Sequence, residues 1–178
     1  MMRLKTFLGL SVLCALSACA TQAPNTQPQA VSSPVETNET KRVTSVEVVK
    51  ASPQPVGIKA GGTAQLNVPL KIQSGYHINA NPPTFSYLKA TQLDITASDG
   101  ISVSSVSYPS PLTKKFAFAD KPLAVYEGET EIKAAIKADN AASKGKHLVA
   151  AQLRVQACDD QVCYPPGQIE LRIPVTVK

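Results

Sequence analysis

Residues 154–167 read RVQACDDQVCYPPG and hold the side chains most capable of chemistry: Cys158 and Cys163, with four residues between them. Two thiols this close can form a structural staple, supply half of a metal site, or cycle between dithiol and disulfide. Asp159 and Asp160 follow the first cysteine directly. Negative charge beside a thiol disfavours the thiolate and raises its pKa, so the reduced pair should be a sluggish nucleophile. Any electron exchange would then depend on a docked protein partner for much of its activation. A zinc site needs about four ligands at recognisable spacing. The two histidines, His77 and His147, are isolated from the cysteines and from each other in sequence, so no metal site is expected.

The front of the chain sets the compartment. Arg3 and Lys5 precede an apolar run from Phe7 to Leu16, which is too short to span a bilayer comfortably. It ends in Leu16-Ser17-Ala18-Cys19, which resembles the bacterial lipobox, in which the cysteine is lipidated and becomes the first mature residue. The expectation is a lipoprotein leader over 1–18, lipid on Cys19, and a periplasmic protein held by that anchor alone. Ala20, rather than aspartate, after the lipidated cysteine points to the outer membrane under enterobacterial sorting rules. Of the four cysteines, Cys14 leaves with the leader and Cys19 is consumed by lipid. Cys158 and Cys163 remain in an oxidising compartment, where a close pair bridges or cycles. Loss of Arg3 and Lys5 lowers the net charge from +5 to +3. The basic residues are scattered, with no footprint for nucleic acid.

The elements that must position the pair lie downstream. Residues 19–41 are rich in Thr, Gln, Pro, Asn, Ser and Ala and cannot bury enough apolar surface to offset their ordering entropy. They read as a tether, leaving residues 42–178 as one domain. Alternating, β-branched runs occur at 43–50, 64–72, 91–97, 101–107, 130–138, 147–157 and 168–177. Turn signals divide them: Gly61-Gly62, Ser74-Gly75, Asp99-Gly100, Glu127-Gly128 and Lys144-Gly145. About seven short strands with such turns predict an all-β, immunoglobulin-like antiparallel β-sandwich. The absence of tryptophan removes the antibody-type core signature.

On this pattern the 147–157 strand runs into Cys158, DDQV turns, and Cys163 begins the return. Facing residues of a non-hydrogen-bonded antiparallel pair have Cα atoms roughly 4.5 Å apart, within reach of a disulfide. Closing so small a loop contributes only about 2 kcal/mol on the chain-entropy model, against about 4.7 kcal/mol for a 100-residue loop. A hairpin already registered by its strands needs such a staple less than an open loop would. Spacing alone leaves the staple and the redox pair both open. No phosphate loop, nucleophile elbow or catalytic carboxylate pair is present, and no cofactor is implied.

Three stretches together, VQACDDQVCYPPG, GYHINANPP (75–83) and YPSPLTKKFAFADKPLAVYEG (108–128), resemble the N-terminal periplasmic domain of the disulfide reductase DsbD. The resemblance covers about residues 44 to 178, and the cysteine segment with its Tyr-Pro-Pro is its most specific part. It implies an immunoglobulin-like domain with a redox-active pair, Cys158 and Cys163, acting as a thiol–disulfide oxidoreductase. Partners would attack Cys163, with Cys158 resolving. It also implies a cap loop with an aromatic residue over the disulfide, best matched by Phe118, with Phe116 as the alternative. His77 and Asn79, on the strand matching GYHIN, would flank the pair. For His77 and Phe118 the competing reading is ordinary packing or turn filling. The implied partners are thioredoxin-like periplasmic redox proteins and a separate membrane electron conduit. The gap between the cysteines looks shorter than in the best-known members. The rival reading is an immunoglobulin-like binding or assembly lipoprotein whose disulfide is structural.

Overall fold

In a strand, successive side chains point to opposite faces, so an apolar residue at every second position yields one buried face. The computed structural model describes residues 43–178 and builds twelve strands, many of them on this pattern. They are β1 (Val49–Ala51), β2 (Val56–Ile58), β3 (Thr63–Ile72), β4 (His77–Asn79), β5 (Gln92–Ile95) and β6 (Ile101–Ser107), then β7 (Leu112–Lys114), β8 (Leu123–Tyr126), β9 (Glu129–Ala138), β10 (Gly145–Val155), β11 (Ala157–Cys158) and β12 (Gly167–Val177). Among the described residues there is no helix. The expected leader (1–18), Cys19 and the expected tether (19–41) lie outside the described residues.

Three four-stranded sheets result, in the orders β1-β3-β9-β6, β2-β12-β10-β5 and β11-β4-β8-β7. Only β2 and β12 pair in parallel. Leu66, Val68, Leu70 and Ile72 of β3 and Ile132, Ala134, Ile136 and Ala138 of β9 supply one side of the core. Val149, Ala151, Leu153 and Val155 of β10 with Leu171, Ile173, Val175 and Val177 of β12 supply the other, in the same buried cluster. In the register Leu66 lies opposite Ala134 and Ala151 opposite Leu171, while Val68 faces Ile132 and Val149 faces Ile173. Each fully buried Leu, Ile or Val stabilises the fold by roughly 1.5–3 kcal/mol. The first two sheets therefore make an immunoglobulin-like β-sandwich, as the alternation predicts.

The departures from expectation have local causes. The run at 43–50 becomes strand only at Val49, because residues 45–48 turn. Thr44 donates both its N–H (2.9 Å) and its hydroxyl (3.1 Å) to Glu47 Oε2, and the Glu47 N–H donates to Thr44 O at 3.1 Å. Such local side-chain bonds compete successfully with strand pairing. The expected strand into Cys158 breaks at Gln156. There the backbone changes partners: β10 pairs with β12 and β5, whereas β11 pairs with β4. The return begins at Cys163, which bridges back to Cys158 as expected, but regular pairing with β10 starts only at Gly167.

The third sheet is what places the cysteines. A Cβ on Gly167 would stand 2.5 Å from Val46 Cγ1, so only glycine lets residues 43–48 lie this close to the start of β12. Ser45 uses that proximity. Its buried hydroxyl accepts the Ala157 N–H at 2.9 Å and donates to Pro165 O at 2.6 Å. One side chain thus ties the residue before Cys158 to a residue just after Cys163.

Candidate active site

Cys158 is the inner member of the pair, with 1% of its surface exposed, and it lies opposite His77 across the β11–β4 ladder. On its other side an isolated antiparallel bridge pairs it with Cys163, Cα to Cα 3.9 Å, and the two form a disulfide. Cys163 is half-buried and lines a cavity of about 230 Å³. Tyr87, Leu88, Phe118, Leu123 and Val162 share that lining. The two sulfurs are therefore unequal: one is enclosed by strands, and the other opens onto an apolar recess.

The loop between them is organised by Asp159. Its N–H donates to Val162 O at 2.9 Å, and its Oδ1 accepts the N–H groups of Gln161 and Val162, each at 2.8 Å. Tyr164 donates its hydroxyl to Oδ2 at 2.6 Å. That hydrogen bond is the main reason the Asp159 carboxyl sits below the usual carboxylate range, with the two backbone donors adding to it. The same bond pushes the Tyr164 phenol up to about 12. The two aspartates thus differ: Asp159 is a turn anchor, whereas Asp160 points to solvent, 3.9 Å from Lys114 Nζ.

His77 is buried, with its ring 4.3 Å from that of Phe116. Its Nε2 lies 3.2 Å from Asp159 O. A carbonyl can only accept, so Nε2 carries the hydrogen and Nδ1 is a lone pair, buried and without a protein partner. Burial, and then the positive charge of Lys114, hold the His77 pKa below its ordinary value, so the ring is neutral at pH 7. Phe116 is buried against His77 and stacks 5.3 Å from Phe118, which is 40% exposed. Of the two aromatic candidates, Phe118 is therefore the one at the cavity beside Cys163, and Phe116 lies beneath it. Lys114 holds this segment in place through Glu127 at 3.3 Å and over the Phe116 ring at 5.6 Å.

Asn79 plays a different part from His77. Its amide donates to Gln156 Oε1 at 3.0 Å and to Lys89 O at 3.3 Å. Gln156 Oε1 also accepts the Lys89 N–H at 2.7 Å, and its Nε2 donates to Tyr164 O at 3.2 Å. Asn79 fixes the residue at which the strand leaves the sandwich, and it has no hydrogen bond to the cysteines. Ser45 and Gln156 escaped the sequence reading because nothing local marks them. Tyr164 stood in the Tyr-Pro-Pro motif, where the tyrosine was the available signal. Among the described residues, no group of three or more His, Cys, Asp or Glu side chains could hold a metal ion.

The β-sandwich thus carries a short-loop disulfide with one cysteine enclosed and the other facing a recess. Residues 44–173 match the family described as thiol:disulfide interchange protein DsbD, N-terminal, and the chain belongs to that family. No curated protein matches it. Among solved structures it is similar to the N-terminal periplasmic domain of ScsB from Proteus mirabilis, at 17% identity and a TM-score of 0.49, over 70% of this chain and 44% of that one. The chain thus spans less than half the length of that structure. It is also similar to the cohesin CaCohA2 from Clostridium acetobutylicum, at 15% identity and a TM-score of 0.41, over 76% of this chain and 95% of that one.

Proposed function

We propose that this protein is a lipid-anchored periplasmic module that passes electrons between thioredoxin-like proteins through Cys158 and Cys163. The observation that carries the reading is the inequality of the two cysteines in a member of this family: Cys158 enclosed, Cys163 at the cavity. In the accepting direction, a partner thiolate attacks Cys163 Sγ and the Cys158–Cys163 bond breaks. Cys158 leaves as a thiolate and takes up a proton. A second partner thiolate then attacks the partner's own sulfur in the mixed disulfide and expels Cys163 as thiolate. The partner ends as a disulfide and this chain as a dithiol. In the donating direction, Cys163 attacks an acceptor disulfide and Cys158 resolves the intermediate.

Cys19 is the proposed lipid site, on the lipobox-like Leu16-Ser17-Ala18-Cys19. Labelled palmitate should mark the wild-type protein and not Cys19→Ala; equal labelling would remove the anchor from the account.

Phe118 is the proposed cap, and its position at the cavity supports that reading. Its ring lines the same recess as Cys163 and is substantially exposed, so it can screen the disulfide from small thiols while a docking protein displaces it. Phe118→Ala should speed reduction by a small thiol severalfold and change the melting temperature little. An unchanged rate with a large drop in melting temperature would make Phe118 a packing residue.

The direct test is a trap. In Cys158→Ser the resolving thiol is gone, so periplasmic expression should accumulate reducible mixed disulfides with thioredoxin-like proteins through Cys163. Cys163→Ser should accumulate none. If neither variant traps a partner and both lose the same stability, the pair is a staple in a binding lipoprotein and the exchange reading fails.

A further inference from the structure

The disulfide is not the only link across its own loop. The Tyr164 N–H donates to Ala157 O at 2.8 Å, Ser45 joins Ala157 to Pro165, and Gln156 holds Tyr164 O. Nearest the sulfurs, the Asp159 carboxylate beside Cys158 accepts the hydroxyl of Tyr164, the residue after Cys163, at 2.6 Å. The side chains next to the two cysteines are thus joined by a second, non-covalent bridge across the same turn.

We propose that the Asp159–Tyr164 hydrogen bond is a positioning device for exchange, holding the two cysteines opposite one another when the bond between them is open. The proposal rests on the exchange reading and adds to it what governs release of a bound partner. In a mixed disulfide at Cys163, the Cys158 thiolate attacks Cys163 Sγ, forms the Cys158–Cys163 bond and expels the partner as thiolate, which takes up a proton. The rate of that ring closure depends on how often Cys158 already faces Cys163, which is an effective concentration set by the loop. A loop pinned by Asp159 and Tyr164 loses little freedom when it closes.

Thermodynamic coupling separates this role from plain stabilisation. A hydrogen bond that supports the oxidised and reduced forms equally cancels from the dithiol–disulfide equilibrium. One that cooperates with the disulfide does not. Tyr164→Phe removes only the hydroxyl, and Asp159→Ala removes the acceptor and the turn anchor. Asp159→Asn keeps one acceptor oxygen for the turn N–H groups and reverses the second contact, its amide donating to the Tyr164 hydroxyl, while deleting the charge.

The experiment equilibrates the full chain and each variant with dithiothreitol in its two redox states at pH 6, and counts free thiols. It then follows release of thionitrobenzoate from the mixed disulfide at Cys163. Tyr164→Phe and Asp159→Ala should shift the equilibrium toward the dithiol by three- to tenfold, a tenfold change being about 30 mV. Both should slow thionitrobenzoate release by a similar factor, while Asp159→Asn should change either quantity less than twofold. Wild-type values in both Tyr164→Phe and Asp159→Ala would overturn the proposal. So would an Asp159→Asn shift as large as that of Asp159→Ala with Tyr164→Phe unchanged, which would assign the effect to charge. A wild-type protein that does not exchange with dithiothreitol at all would instead bring down the underlying exchange reading, so the two failures are distinguishable.

Discussion

The site depends on one change of partner in the backbone. At Gln156 the chain stops pairing within the sandwich and begins pairing with β4, whose Asn79 N–H donates to Gln156 O at 3.1 Å. The side chain of Gln156 then binds Asn79, Lys89 and Tyr164. Val155 faces Gly167, the first residue of β12, so Cys158 lies past the end of that ladder and pairs with His77 of β4 instead. Because buried amide groups are costly to leave unpaired, the Gln156 contacts commit the chain to the small third sheet. That sheet is where one cysteine can be enclosed and its neighbour left open.

Electrostatics around the pair follow from the same geometry. The Asp159 carboxylate is satisfied by two backbone donors and a phenol, so its charge is fixed in place and held within the turn. His77 is neutral and sits against Phe116, with its protonated nitrogen on the carbonyl of Asp159. Neither group behaves like the cation or helix N-terminus that activates a free-standing reactive thiol. On the proposed exchange reading, a protein docked at the apolar recess beside Cys163 would supply the activation.

Much of this was legible in the sequence, and the exceptions have physical reasons. The strands β3, β6, β9, β10 and β12 run for 7 to 11 residues, long enough for alternation to register. The strands β2, β7 and β8 have 3 or 4 residues, too few to show a period. At 43–48, β-branched residues suggested a strand, but a threonine three residues before a glutamate made a turn. The cysteine spacing pointed to the hairpin, and family resemblance pointed to Phe118 and His77. Ser45 and Gln156 act across 112 and 67 residues of sequence to Ala157 and Lys89, and no local pattern could mark contacts of that separation.

The central claim, that Cys158 and Cys163 exchange electrons and do not merely brace a loop, is tested most directly by the equilibrium reduction potential of the pair in the wild-type protein. Redox titration against glutathione or dithiothreitol, read by thiol alkylation, gives the value. An exchanging pair should have a midpoint of about −200 mV, where thioredoxin-like partners can both load and unload it. A midpoint below about −300 mV is the range of structural disulfides and would contradict the claim.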